Sequence, residues 1–186
     1  IGCGNGALLA AISEVVKVRE GLGLDASPEM ISLAQARQAH RPQLRFEHTS
    51  TPSIPLPDAS VDLALSLLSW RYLDWDPLMI ELMRVIKPGG RLVVIDMVTA
   101  PPTLRELPAL ARDTLKGALQ RRLTPTYQAA LKRLTAEPAW AEMLRYNPIR
   151  AQHELVWYFE SRFKGRRVEV LNVGRRARVL AFDSGP

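Results

Sequence analysis

The sequence predicts a doubly wound α/β fold carrying a helical insertion, and three observations support that expectation. Strand-like and helix-like segments alternate through the first hundred residues. Arg91 to Met97 is an almost continuous apolar run, the pattern of a parallel strand covered on both faces. Between Thr99 and Arg150 the strand pattern stops and helical segments take over, punctuated by Pro101, Pro102, Pro108, Pro125, Pro138 and Pro148.

The elements follow in order. Gly2, Gly4 and Gly6 open the chain, and Ala7 to Val16 then combines apolar and helix-forming residues. Val18 to Leu24 reads as a short strand ending at Asp25. Ser27 suits a helix N-cap, Pro28 suits the first helical position, and Met30, Ile31, Leu33 and Ala34 supply an apolar face for a helix running to about His40. Leu44 to His48 is the next strand, closed off by the proline-rich stretch Thr51 to Asp58, whose prolines lack ladder donors. Val61 to Ser66 reads as a buried strand and Leu78 to Ile86 as a helix stopped by Lys87-Pro88-Gly89-Gly90. After the insertion, helical periodicity resumes over Ala151 to Phe163. Two β-rich runs, Arg167 to Val173 and Arg178 to Phe182, flank Gly174-Arg175-Arg176 as a hairpin.

Composition narrows the function classes. A chain of 186 residues with 47% hydrophobic and 24% charged residues has the make-up of a single globular domain, which excludes disordered and fibrous readings. Its longest apolar stretches fall short of the roughly 20 residues that a membrane span needs, so no membrane partner is expected. A single cysteine, Cys3, excludes an internal disulfide framework. With no recognisable signal peptide, the chain reads as a cytoplasmic one. The net charge of +6 is uneven: residues 1–100 carry −2 and residues 101–167 carry +7. Such an excess attracts anionic ligands, nucleic acid included, although solvated helix faces account for much of it. No clustered His, Cys and carboxylate pattern suggests a metal.

The chemistry concentrates at the glycines. Gly2, Gly4 and Gly6 follow an apolar residue and precede a helix, so the chain must turn tightly and leave backbone amides exposed near a helix N-terminus. Asp25 lies 19 residues past Gly6 at the tip of the next strand, where a carboxylate can accept hydrogen bonds from both hydroxyls of an adenosine ribose. By itself this pair admits two cofactors, because Gly2-Cys3-Gly4-Asn5-Gly6-Ala7 also satisfies the fingerprint of a nicotinamide-binding oxidoreductase.

The wider pattern resembles the class I S-adenosylmethionine-dependent methyltransferases. Ile1-Gly2-Cys3-Gly4-Asn5-Gly6, Gly23-Leu24-Asp25-Ala26-Ser27-Pro28-Glu29-Met30, Ile54-Pro55-Leu56-Pro57-Asp58-Ala59-Ser60-Val61-Asp62 and Arg84-Val85-Ile86-Lys87-Pro88-Gly89-Gly90-Arg91-Leu92 stand in that family's order and spacing. The resemblance covers residues 1–98 well and 151–186 in outline. It implies a Rossmann-like, mostly parallel sheet with an antiparallel last strand, a core formed by 1–98 and 151–186, and a helical cap over 99–150 within the same domain. It also implies that the strand leading into the loop lies at the centre of the sheet, so that the natural protein extends upstream of Ile1.

By the same resemblance the cofactor is S-adenosylmethionine, with S-adenosylhomocysteine as product. Gly2, Cys3, Gly4 and Gly6 pass beneath its methionine part, Asp25 takes the ribose, and Ala26 and Met30 flank the adenine. Ser50, followed by Thr51, stands where the family usually has an acidic residue for the adenine amino group; a serine hydroxyl is neutral and shorter. Ser66 and Leu67 end a strand at the methionine end of the cofactor and the substrate entrance. Ser66-Leu67-Leu68-Ser69-Trp70 is not the Asn/Asp-Pro-Pro-Tyr type motif of many base-amino methyltransferases. The expected substrate is therefore a small molecule, with a nucleic-acid methyltransferase, a nicotinamide-dependent oxidoreductase and a catalytically inactive domain as alternatives.

No residue stands out as the general base that a protonated acceptor would require. His40, His48, His153, Tyr72, Asp74 and Tyr146 are available by type alone, and Cys3 is expected to serve packing or backbone contact. Substrate recognition is expected to draw on Arg105, Arg112, Tyr127, Trp140, Arg145, Tyr146 and Arg150 of the insertion, which emerges beyond the carboxyl ends of the strands.

Overall fold

A computed structural model of the chain describes residues 1–136, 138 and 149–186, which fall into two compact units, Ile1–Asp96 with Asp183–Pro186, and Met97–Phe182. In the first unit α1 (Ala7–Val15) starts directly at the glycine loop, followed by β1 (Gly21–Asp25), α2 (Pro28–Gln38) and β2 (Leu44–His48). β1 and β2 pair in parallel from Gly21 opposite Leu44 to Asp25 opposite His48, with α2 as the crossover. α2 starts as its sequence dictates: the Ser27 hydroxyl accepts a hydrogen bond from the Met30 amide (3.2 Å) and Pro28 occupies the first turn, where no donor is needed. Ala10, Ile31, Ala34, Leu44 and Phe46 bury themselves together as the core of this layer, with Cys3, Leu9 and Val18 against them. β1 is shorter than the strand expected over Val18 to Leu24. β2 begins only at Leu44 and offers no partner before Gly21, so Val18 packs into the core instead.

β3 (Val61–Leu67) pairs in parallel with β4 (Ile86–Thr99) through the crossover helix α3 (Trp75–Val85). α3 begins three residues earlier than expected, because Pro77 lies in its first turn, where the missing amide costs nothing. Its buried face is Leu78, Met79, Leu82 and Val85. The Lys87-Pro88-Gly89-Gly90 segment does more than stop the helix. Ile86 is already extended (φ −72°, ψ 130°) and pairs with Val61, so the strand starts at once and shifts register between Val61 and Leu63, with Gly89 at φ 79°. Ile1–Cys3 lie between the two strand pairs: the Ile1 amine donates to the Leu65 carbonyl (2.6 Å) and the Cys3 amide to the Leu24 carbonyl (3.0 Å). The proline-rich segment before β3 is strapped to α3 by Arg84, which donates to the Ile54 and Leu56 carbonyls and to Glu81 and Asp58.

The second unit holds α4 (Leu107–Leu123), α5 (Pro125–Ala136), α6 (Gln152–Arg162), β5 (Glu169–Val173) and the greater part of β6 (Ala177–Asp183). β5 and β6 form the antiparallel hairpin expected around Gly174–Arg176. Thr99 bridges to Ala151 and its amide donates to the Arg150 carbonyl (2.8 Å), so the two ends of the insertion meet at its base. Leu155, Tyr158 and Phe159 of α6 are buried, and the Phe159 ring stacks on Phe182 at 4.3 Å. Arg178 is 4% exposed and reaches Glu106 with two bonds, 2.6 and 2.9 Å, and the Pro101 carbonyl with a third.

Two glutamates make stability sensitive to acid. The Arg84 guanidinium holds the Glu81 carboxyl down to about 2, and Arg178, aided by Thr103, holds Glu106 at about 2. Both values lie below an unfolded glutamate at ~4.3, so the stabilisation is fully present above that pH and is lost as pH falls through about 2. Urea midpoints measured from pH 6 to pH 2 should fall, and Glu106→Gln should flatten part of that slope. An unchanged slope in the variant would show that Glu106 is not a source of the acid sensitivity.

Candidate cofactor site at the glycine loop

The loop is built by three left-handed glycines, Gly2 at φ 65°, Gly4 at 52° and Gly6 at 75°, a conformation in which any other residue is strained. Their surroundings differ. A Cβ on Gly2 would collide with the Ser69 side chain, and one on Gly6 would lie 2.7 Å from the Phe46 ring, so these two let backbone pass close to neighbours. Gly4 has open space where its Cβ would be.

Asp25 organises this turn. One carboxylate oxygen accepts from the Gly4 amide (2.7 Å) and the other from the Ser27 amide (3.0 Å), so the tip of β1 holds both the glycine loop and the start of α2. Each oxygen retains a further lone pair, as a carboxylate offers about four acceptor sites. The arrangement therefore suits a ligand that carries hydroxyls beside the Asp25 carboxylate and packs over the open Gly4 backbone. Those are the demands of an adenosine ribose and the chain attached to it, so the residues present fit S-adenosylmethionine.

The other expected residues differ in exposure and in local bonding. Ala26 is exposed and Met30 is 42% exposed on the first turn of α2. Ser50 is exposed, and Thr51 turns back on Thr49, whose hydroxyl donates to the Thr51 carbonyl (2.9 Å). Leu67 is 38% exposed at the end of β3, whereas Ser66 is buried and its hydroxyl is engaged with that of Ser69 (2.9 Å). Cys3 bonds through its amide to β1. Burial, and then the nearby Asp25 carboxylate, push its thiol up to about 11. Iodoacetamide at pH 8 should alkylate Cys3 roughly two orders of magnitude more slowly than a free thiol. Labelling at the free rate would contradict this burial.

Among the candidate bases, the His48 ring lies 3.2 Å from the Ala26 carbonyl, and the Tyr72 hydroxyl accepts from Arg71 (2.8 Å). Asp74 stands at the N-cap of α3 without a side-chain cap bond. His153 is exposed on α6 in the second unit. In the insertion, Arg112 pairs with Asp113, Arg150 with Glu154, Arg105 is exposed and Tyr127 is 62% exposed. Trp140, Arg145 and Tyr146 lie outside the described residues.

Sequence reasoning named Tyr72 and Asp74 after β3 but missed the turn at Leu68 and the pairing of Arg71 with Asp96. Leu68 has φ 56°, a left-handed backbone rare for a bulky residue and of the kind that stores strain of order 1–3 kcal/mol at functional sites. The one-turn helix Trp70–Tyr72 follows, and Arg71 forms a buried ion pair with Asp96 at 2.6 Å. A signal existed: Asp96 is the one charge in the apolar run Leu92 to Val98, and a charge in a buried strand demands a partner.

A glycine loop between β1 and β3, a carboxylate at the tip of β1 and parallel strands joined by helices make a nucleotide-binding α/β framework, and the family match makes it a class I S-adenosylmethionine-dependent methyltransferase domain. The chain belongs to the family described as methyltransferase domain, which it matches over residues 1–94. It is similar to a demethylmenaquinone methyltransferase of Thermus thermophilus, at 30% identity over 103 residues, 54% of this chain and 47% of that protein. It is also similar to the 27-O-demethylrifamycin SV methyltransferase of Amycolatopsis mediterranei, at 32% identity over 152 residues, 76% of this chain and 54% of that protein. The chain thus spans about half the length of these relatives. A crystal structure of a SAM-dependent methyltransferase from Aquifex aeolicus shares the fold across 98% of this chain and 78% of its own, with a TM-score of 0.61 and 20% identity. The expected Rossmann-like α/β fold, a mostly parallel sheet with an antiparallel last strand, is therefore the fold of this chain. Among the described residues no helix is long and apolar enough to cross a membrane.

Proposed function

We propose that the protein transfers a methyl group from S-adenosylmethionine to a small-molecule acceptor. The observation that supports this most directly is the Asp25 carboxylate, held against the Gly4 amide at the edge of an open glycine turn. In this reading Gly2, Cys3, Gly4 and Gly6 underlie the methionine part, Asp25 takes the ribose hydroxyls, Ala26 and Met30 flank the adenine, Ser50 and Thr51 meet its amino edge, and Ser66 and Leu67 border the methionine end. When bound, S-adenosylmethionine supplies a methyl group already activated on a sulfonium. The task left to the chain is alignment and exclusion of water.

Residues 99–150 form a helical cap in this proposal, with 1–98 and 151–186 as the core. The +7 charge of residues 101–167 favours an acceptor bearing carboxylate or phosphate. Equal turnover of neutral and acidic analogues would remove that preference, and a strongly salt-dependent affinity for RNA or DNA would point to a nucleic-acid substrate.

Calorimetry with S-adenosylmethionine, S-adenosylhomocysteine and NAD tests the central reading. Binding of the sulfur compounds and not NAD is the expected result, and the reverse would overturn it. Asp25→Ala should weaken S-adenosylhomocysteine by about 1–3 kcal/mol, the cost of leaving buried donors unpaired. Unchanged affinity would place the ribose elsewhere.

A further inference from the structure

The segment that leaves β3 is held at both ends by groups that the proposed cofactor contacts do not use. At its start Leu68 takes the left-handed backbone at φ 56°, with its amide bonded to the Ile95 carbonyl (2.7 Å). The Ser69 hydroxyl donates to the Ile1 carbonyl (3.0 Å), and Ser69 lies so close to Gly2 that no Cβ fits between them. Further on, Arg71 is clamped to Asp96, one residue beyond Ile95 on β4. The Arg71 backbone amide donates to one Asp96 oxygen (2.8 Å) and its guanidinium to the other (2.6 Å). The guanidinium also donates to the Tyr72 hydroxyl (2.8 Å) and lies over that ring at 4.5 Å. Both partners are buried, the Arg71 side chain at 7% exposure and that of Asp96 at 0%.

A buried ion pair is a poor way to gain stability, since two apolar side chains of similar volume serve as well or better. Its geometry does something that apolar contacts do not. A carboxylate that takes the backbone amide with one oxygen and a guanidinium nitrogen of the same residue with the other fixes the position and orientation of that residue. Here the residue fixed is the third after a strained leucine and the second after the serine that touches the glycine loop. The strain at Leu68 and the contact of Ser69 with Ile1 and Gly2 persist only if something beyond them holds the chain in place.

We infer that Arg71 and Asp96 are positioning residues for the methionine end of the cofactor site. Through the Leu68–Arg71 segment they set where Ile1 and Gly2 lie, and with them the start of the glycine loop. The adenosine end is set separately, by Asp25 and the start of α2. This inference rests on the cofactor reading proposed above. It separates the two halves of the site, so disturbing the clamp affects ligands that carry an amino-acid chain and spares those that end at the ribose.

The test uses two ligands that differ in that chain, S-adenosylhomocysteine and 5′-methylthioadenosine, measured by calorimetry on the protein and two variants. Asp96→Asn keeps the shape and removes the charge. The double variant R71M/D96L removes both charges, so no buried ion is left unpaired, and its near-ultraviolet circular dichroism should match that of the unaltered protein. Both variants should bind S-adenosylhomocysteine weaker by about tenfold or more, the scale of effect that a small displacement of a binding group produces. Affinity for 5′-methylthioadenosine should stay within about twofold in both, since Asp25 is untouched. Parallel weakening of the two ligands would show a merely structural role and overturn the inference. So would a double variant that binds S-adenosylhomocysteine as the unaltered protein does. An unaltered protein that binds neither ligand would instead remove the cofactor reading itself, and the inference with it.

Discussion

Gly6→Val should cost the protein about 2–5 kcal/mol, the sum of a left-handed backbone forced on a branched residue and of overpacking. Gly6 is at φ 75° and caps α1, and its Cβ would stand 2.7 Å from the Phe46 ring and 3.3 Å from the Ala34 Cβ. Phe46 and Ala34 are 4% and 0% exposed, so neither has space to retreat. Gly4 supplies the control. Its φ of 52° imposes a similar backbone penalty, but a Cβ there meets nothing within 4 Å. Gly4→Ala should therefore lose only the backbone part, about 1 kcal/mol, while placing a methyl group where the cofactor is proposed to pass. Chemical denaturation of both variants with S-adenosylhomocysteine titrations separates the effects. Equal stability losses at the two glycines would show that the Phe46 contact is not what forbids a side chain at Gly6.

Phe159→Ala is expected to remove about 3–5 kcal/mol from the second unit, the range for deleting a large buried ring. Phe159 is 0% exposed, stacks on Phe182 at 4.3 Å and meets Tyr158 edge-on at 5.5 Å, so truncation leaves a cavity that a fixed hairpin strand cannot fill. Trp157, on the same helix and 67% exposed, is the matched comparison, and its replacement by alanine should change stability by no more than about 0.5 kcal/mol. Thermal unfolding followed by near-ultraviolet circular dichroism reads both. Similar midpoints for the two variants would mean that the α6 face has been assigned the wrong way round.

Much of the fold is legible in the residues themselves. Leu44 to His48 reads as a strand to the residue, because alternation and a proline-rich stop bound it on sequence grounds alone. The α2 start is legible for a similar reason, since Ser27 and Pro28 act on their own helix within one turn. The start of β4 is not: helix stop and strand onset coincide at Ile86 because Val61 is there to pair with it, and Val61 lies 25 residues upstream. Of the candidate site, the glycine loop and Asp25 are recognisable by spacing, and the structure adds that they bond to each other. Ser66 is recognisable only as the end of a strand, and its engagement with Ser69 depends on a turn whose left-handed leucine no propensity announces.

The alternation of strands and helices, the hairpin and the glycine turn are written in local spacing and in the dihedral freedom of particular residues, while four motifs standing in order carry the resemblance to the family. Which charge meets which is set by packing between distant segments. Asp96 and Arg71 are 25 positions apart, and Arg178 and Glu106 are 72, and nothing in either neighbourhood names the other. A buried charge announces that it needs a partner, since leaving it unpaired costs several kcal/mol, on the order of 3–5, but it does not say where along the chain that partner lies. Only the packing of β3 beside β4, and of β6 within the second unit, brings each pair within a hydrogen bond.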